Sequence, residues 1–165
     1  MAFKSVNEIS AFSFEDCMIT KFEYKEKEVY MELEALIVKA NNSQNTNYTE
    51  SYAGPTQVRL QGAKVISGYQ EGSKYYDANN VLLSEIPDRP FSEEELQDFL
   101  KTCEGNYLYC MEPVREAEGS YEYSVGIEYA EDNDYGSRVL DSFRLNICFE
   151  KAIFEWDRYM NRVQR

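Results

Sequence analysis

Residues 14–38 are the longest stretch in which the pattern of apolar and polar positions and the turn signals agree on one structure, a β-hairpin. Residues 14–24 are rich in aromatic and β-branched side chains, and Lys25, Glu26, Lys27 and Glu28 form a charged turn. Val29, Met31, Leu33, Ala35 and Ile37 then fall on one face of the returning strand. The opposite face begins with Tyr30, Glu32 and Glu34, which suit solvent, and ends with Leu36 and Val38, which do not. The second strand is therefore expected to start on an open face and finish beneath other structure. Residues 1–11 lack a period and are expected to be a lead-in, with Phe12 and Phe14 anchoring it.

Residues 39–55 are dense in Asn, Thr and Ser, and they exceed the ~12–15 residues beyond which structureless connections become uncommon. Thr46, Tyr48, Glu50 and Tyr52 share one parity, as in an edge strand. The side chains of Asn41, Asn42, Asn45 and Asn47 can bond the backbone and tolerate left-handed conformations. The segment is expected to be an ordered loop used for binding, with a mobile polar connector as the alternative.

Further along, residues 57–60 and 63–69 read as two strands around Gln61 and Gly62, with Val58, Leu60, Val65 and Ile66 as core candidates. Residues 75–83 read as a turn between short extended pieces. One helix is expected over residues 93–103: Ser92 caps it, Glu95 completes a capping box, and Phe91 with Leu96 forms a hydrophobic staple. Leu96, Phe99 and Leu100 make its apolar stripe, and Gly105 stops it. Strands are expected at residues 107–114, 121–129, 139–149 and 152–156. In the third of these, Phe143, Leu145, Ile147 and Phe149 alternate with polar neighbours. Arg158, Arg162 and Arg165 suggest one face of a short C-terminal helix. Together these elements predict a single domain over residues 1–165. It is mostly β or α+β: an antiparallel β-sandwich or strongly curved sheet with one amphipathic helix packed on it.

Charge narrows the partners. Thirty acidic against 17 basic residues give a net charge of -13, which argues against phosphate-neutralising contacts to nucleic acid and against anionic membranes. No run of ~18 apolar residues and no signal-like N-terminal core is present, so a cytoplasmic location is expected, with Cys17, Cys103, Cys110 and Cys148 reduced. There is no histidine, which removes Ser-His and Cys-His nucleophile pairs and the commonest metal ligand. Cys-x-x-Cys pairs, a phosphate-binding loop and a nucleophile elbow are also missing, so no metal and no cofactor is expected. Residues 131–136 resemble a calcium loop, but Tyr135 and Ser142 occupy positions that require an oxygen ligand and a bidentate Glu, and a solvated turn is the better reading. Glu32, Glu34, Glu122 and Glu128 alternate with apolar residues as any outward strand face would.

Phe14-Glu15-Asp16-Cys17, the run from Ala40 to Tyr48 and the ending Glu155-Trp156-Asp157-Arg158-Tyr159 resemble a family of short bacterial proteins that has no established activity. Some members carry a label as a subtilin-biosynthesis sensor protein. A chain without histidine offers no phosphoacceptor for such a kinase, and the glycine-rich lid of these kinases is missing. The start of the hairpin is also similar to small bacterial immunity proteins, although Glu15 stands where their aromatic-His-Asp triplet has histidine.

The surplus of 14 tyrosines points to binding rather than chemistry. Tyr30, Tyr48, Tyr52, Tyr107, Tyr109, Tyr121 and Tyr123 could include an exposed row, or they could be strand tyrosines buried up to the hydroxyl. The reading is an interaction module that presents an aromatic and acidic face to a protein or peptide, with Asn45, Asn47, Tyr48, Tyr52 and Tyr30 as binding candidates. The alternatives are a carbohydrate-binding module and a carboxylate-dependent hydrolase. The oligomeric state is open.

Overall fold

The computed structural model describes residues 2–132 and 138–164. Of the stretch compared with a calcium loop, Glu131 and Asp132 end a strand and residues 133–136 lie outside the described ones, as does Arg165. In chain order the strands are β1 (Phe3–Val6), β2 (Phe12–Ser13), β3 (Cys17–Lys25), β4 (Glu28–Glu34), β5 (Ile37–Val38), β6 (Ser51–Ala53), β7 (Thr56–Gln61) and β8 (Lys64–Gln70). Next come β9 (Ser73–Tyr76), β10 (Leu82–Ile86), β11 (Arg89–Pro90), the helix α1 (Glu93–Leu100), β12 (Tyr107–Ala117), β13 (Ser120–Asp132), β14 (Arg138–Phe149), β15 (Lys151–Trp156) and β16 (Tyr159–Arg162). The fold is mostly β with one helix, and the ladders are antiparallel, as the sequence predicts.

Two lines of bending shape the 10-stranded sheet, whose order is β1-β15-β7-β4-β3-β12-β13-β14-β8-β11. At the first, only Gly62 and Ala63 separate β7 from β8, and only Glu150 separates β14 from β15. The two runs pair as one ladder, from Trp156↔Thr56 through Lys151↔Gln61 to Cys148↔Lys64. The Glu150 N–H donates to the Gln61 carbonyl across the bend (2.8 Å). Because β7 also pairs with β4 and β14 with β13, the path of hydrogen bonds through β4, β3, β12, β13 and the bent ribbon returns to its start. The sheet thereby closes around its own core, a corner made by strands that bend rather than end.

At the second line, four neighbouring strands fold over together. The order β15-β7-β4-β3 continues as β16-β6-β5-β2, the 4-stranded sheet. The Leu33↔Thr56 ladder carries on as Ile37↔Tyr52, with the Ala53 N–H donating to the Leu36 carbonyl in between (2.9 Å). Ala35 makes this corner with φ 64, and the change of parity it causes explains why the strand starts wet and ends dry. Ala35 itself is exposed rather than inward as its alternation suggested, while Leu36, Ile37 and Val38 are buried.

One hydrophobic cluster takes side chains from both sheets and the helix, including Ile19, Met31, Leu60, Leu108, Ile127, Leu145, Phe154 and Trp156. The helix covers the core where β3 and β12 part, since these strands pair only at Tyr107↔Met18 and Leu108↔Cys17. Ser92 accepts from the Glu95 N–H and Glu95 accepts from the Ser92 N–H, so the capping box is complete. Phe99 packs on Phe143 and Tyr129, with ring centroids 4.8 and 5.9 Å away. Burial pushes the Cys17 and Cys103 thiols up to about 12.

Several expectations are corrected. Residues 3–6 are a strand paired with β15, not a loose lead-in, and they stack Phe3 on Trp156 at 5.6 Å. The helix ends at Leu100, short of the expected Cys103. Ile66 is 46% exposed because a bulge opposite Asn146 and Ile147 leaves it unpaired, while Val65 keeps the inward place. The C-terminal residues form β16 against β6 instead of a helix, as the ladder carried over the corner outweighs the helical spacing of the arginines.

Gly68 shows how closely helix and sheet approach. A Cβ there would stand 3.0 Å from Leu145 and Phe91 and 3.1 Å from Leu96. Gly68→Ala is expected to destabilise the fold by about 1–3 kcal/mol, the range for overpacked cores. Denaturant unfolding checks this; an unchanged midpoint would mean the helix seat is loose.

Candidate interaction surface

After β8 the chain leaves the sheet and forms the β9–β10 hairpin, which pairs with no third strand among the described residues. Its tip is a well-bonded turn. The Asp77 carboxylate accepts from the Asn79 and Val81 N–H groups (2.7 and 3.0 Å), the Asp77 N–H donates to the Val81 carbonyl, and Asn80 takes φ 62. Yet the hairpin adds no side chain to the core cluster. Tyr75, Tyr76, Val81, Leu82, Leu83 and Ile86 are 47–66% exposed, a concentration of large apolar side chains met nowhere else among the described residues.

A polar clamp fixes the base. The Glu71 N–H donates to the Ser142 carbonyl, and the Gly72 N–H donates to the Asp88 carboxylate (2.8 and 2.7 Å). The Glu71 carboxylate also accepts from the Arg144 Nε (2.9 Å) and from the Tyr109 hydroxyl. Arg144 reaches Glu112 at 3.2 Å and lies 5.3 Å above the Tyr109 ring centroid. Tyr109 fits there because Gly126 has no side chain: a Cβ would be 2.5 Å from the ring. Burial favours the neutral forms of both groups. It raises the Tyr109 hydroxyl, as does the bond to Glu71, while on Arg144 the bonds to Glu71 and Glu112 prevail and its pKa rises.

The expected binding residues lie elsewhere. Asn45 donates its amide to the carbonyls of Val38, Lys39 and Thr49 (3.2, 3.0 and 2.9 Å) and accepts from the Asn47 N–H at 2.8 Å. Asn47 in turn donates to the Ser51 hydroxyl. These bonds tie the loop to itself and leave Tyr48 at its surface, 91% exposed with φ 60. Tyr52 lies on β6 beside a depression of about 470 Å³ that Pro55, Arg158 and Met160 also line. Tyr30 is in a different place, donating to Glu32 at 2.6 Å beneath Arg59, 5.0 Å from its ring centroid. Burial and that bond push its hydroxyl up to about 12. Asn45, Asn47 and Tyr48 thus share one loop, Tyr52 follows it, and Tyr30 stands apart.

The tyrosines do not form one exposed row: Tyr123 is 3% exposed and packs on Phe149. The two tyrosines most available on strands, Tyr75 and Tyr76, belong to the hairpin. No group of three or more acidic or cysteine side chains among the described residues is placed to hold a metal ion. Of the carboxylates considered for catalysis, Glu128 is raised by burial and then by the charges of Asp16 and Glu71, and Glu32 is engaged with Tyr30.

The Asn-rich loop is pinned to the N-terminal segment by Glu8, whose carboxylate accepts from the Ser5 and Ser43 hydroxyls and the Ser43 N–H. Burial alone would raise its pKa, but these three bonds outweigh it and hold Glu8 below the usual carboxylate value. A lowered folded-state pKa contributes stability that is present above the unfolded value of about 4.3 and is lost as pH falls through the folded one. Glu8→Gln is therefore expected to flatten the acid limb of a stability-against-pH curve, and an unchanged limb would remove Glu8 as its cause.

No protein-family model, curated protein or solved structure matches this chain.

Proposed function

We propose that the chain is a non-catalytic cytosolic interaction module that docks on a protein partner through the β9–β10 hairpin. One observation carries the reading: six large apolar side chains are exposed on a ribbon whose turn and base are held by hydrogen bonds. An isolated two-stranded hairpin is marginal in water, and keeping apolar groups on one costs solubility without adding to the core. The edges of the ribbon are protected against strand addition. They are four and five residues long, β9 carries Lys74, and β10 has a bulge at Leu83. The apolar faces are not protected, so docking is by side chains. The rigid base limits the ordering entropy that binding would otherwise cost. Tyr48 offers a second contact point at the other end of the strand run that leads to the hairpin.

Replacing Tyr76 and Leu82 with Ser, and separately Tyr75 and Ile86 with Ser, tests the reading by capture from a native lysate. At least one pair is expected to reduce capture by ~10-fold or more, with thermal stability within about 0.5 kcal/mol of the parent, as for other surface positions. Undiminished capture by both variants would contradict it, as would a loss of stability on the scale of a core substitution.

A further inference from the structure

We infer that the second line of bending carries a binding site for a small zwitterion with an apolar side chain, an amino acid or a short peptide. The site shares no residue with the β9–β10 hairpin. The depression beside Tyr52 measures about 470 Å³, within the ~300–1,000 Å³ of small-molecule sites. Ala35, Tyr52, Pro55 and Met160 give it apolar lining, and Glu34 and Arg158 are its charged groups. A neighbouring depression of about 360 Å³ shares Gly54, Pro55 and Arg158, but its remaining residues are all polar, among them Thr20, Gln57 and Asp157. An apolar ligand group therefore belongs on the Tyr52 side of the arginine.

Backbone bonds seat Arg158 at the corner. The Gly54 N–H donates to the Arg158 carbonyl (2.8 Å), and the Thr56 hydroxyl donates to the Gly54 carbonyl (2.9 Å). The arginine stem lies against Gly54, where a Cβ would stand 3.2 Å from Cγ and 3.6 Å from Nε. Its charge is left unanswered. Arg59, Arg89 and Arg144 each pair with a carboxylate, whereas Arg158 makes no ion pair or side-chain hydrogen bond among the described residues. That is unexpected in a chain with 30 acidic and 17 basic residues. Glu34, on the same depression, is likewise without a side-chain partner among the described residues. Two opposite charges that stay unpaired over one apolar depression are complementary to a ligand that carries both.

Charge selects the ligand class. A net charge of -13 repels a bare anion, and Glu34 and Asp157 beside the arginine add to that repulsion. A bare cation meets Arg158. A zwitterion has no net charge to be repelled: its carboxylate fits the guanidinium fork and its ammonium fits the Glu34 carboxylate. Its side chain then covers Tyr52, Pro55 and the 54% exposed Met160, whose flexible thioether adapts to different apolar groups.

NMR titration of the isotope-labelled full chain with phenylalanine and, separately, with the dipeptide phenylalanylalanine tests the inference and distinguishes the two sources. At least one is expected to bind saturably below about 20 mM, the range for a ligand of this size, with amide shifts centred on Tyr52, Gly54, Arg158 and Met160. The tighter of the two names the source. Its N-acetyl form, which lacks the ammonium, and its C-terminal amide, which lacks the carboxylate, are each expected to bind ~10-fold more weakly or worse. Arg158→Gln is expected to weaken the unmodified ligand by the same ~10-fold or more. Glu34→Gln is expected to abolish the preference for the free ammonium, which a general disturbance of the surface would not do. Absence of saturable binding by both probes up to about 20 mM overturns the inference. So do shifts centred on the β9–β10 hairpin, undiminished binding by Arg158→Gln, or an N-acetyl form that binds as tightly as the parent. The capture test of the hairpin is independent of these outcomes, because its variants leave Glu34 and Arg158 in place.

Discussion

The structure depends on one ladder, that between the β7–β8 run and the β14–β15 run. Among the described residues these two bent strands are the only pair that borders both halves of the large sheet, and they bring its hydrogen bonding back to its start. With the ladder unbroken across Gln61 and Glu150, backbone groups at the bend stay paired and apolar side chains on either side face a common interior. Val58 and Leu60 on one limb and Leu145 and Ile147 on the other are all essentially inaccessible. The small sheet follows the same rule, as four strands turn together and keep their order.

The same ladder sets where the hairpin can be. β8 ends at Gln70, the Glu71 N–H makes one further bond to the sheet at the Ser142 carbonyl, and Gly72, bonded to Asp88, then leads the chain outwards. The Arg144, Tyr109 and Glu71 clamp sits on the outer face of that sheet, where an arginine bonded to two carboxylates is partly screened from water and gains from charge-assisted hydrogen bonds. The hairpin is thus a separate two-stranded sheet beside the closed one, with its own turn chemistry and a hydrogen-bonded polar base.

Much of the fold was legible in the sequence, and the reasons are specific. The capping box around Ser92 and Glu95 is a local code, and the alternation from Phe143 to Phe149 faces one core, so both read directly. The corners were not legible. Ala35 interrupts a strand with a left-handed residue that no propensity signals, and the arginine spacing of the C-terminus looked helical until β6 supplied a ladder. At the surface, Tyr75, Tyr76, Val81, Leu82 and Leu83 occupy both parities, a pattern that also describes strands buried on both faces, so periodicity could not tell a projecting hairpin from a core piece. The Asn-rich loop was legible as a self-bonded unit because Asn amides bond backbone at short range, and the Asn45 bonds show it.

The central claim is that the hairpin stands outside the cooperative core that the bent ladder closes. Native-state hydrogen exchange on the dilute chain tests it most directly. The account predicts that amides of Val58, Leu60, Leu145 and Ile147 exchange only with global unfolding, while those of β9 and β10 exchange through a smaller opening that leaves the closed sheet intact. Protection of the β9 and β10 amides equal to that of the closed sheet in the dilute chain would contradict it.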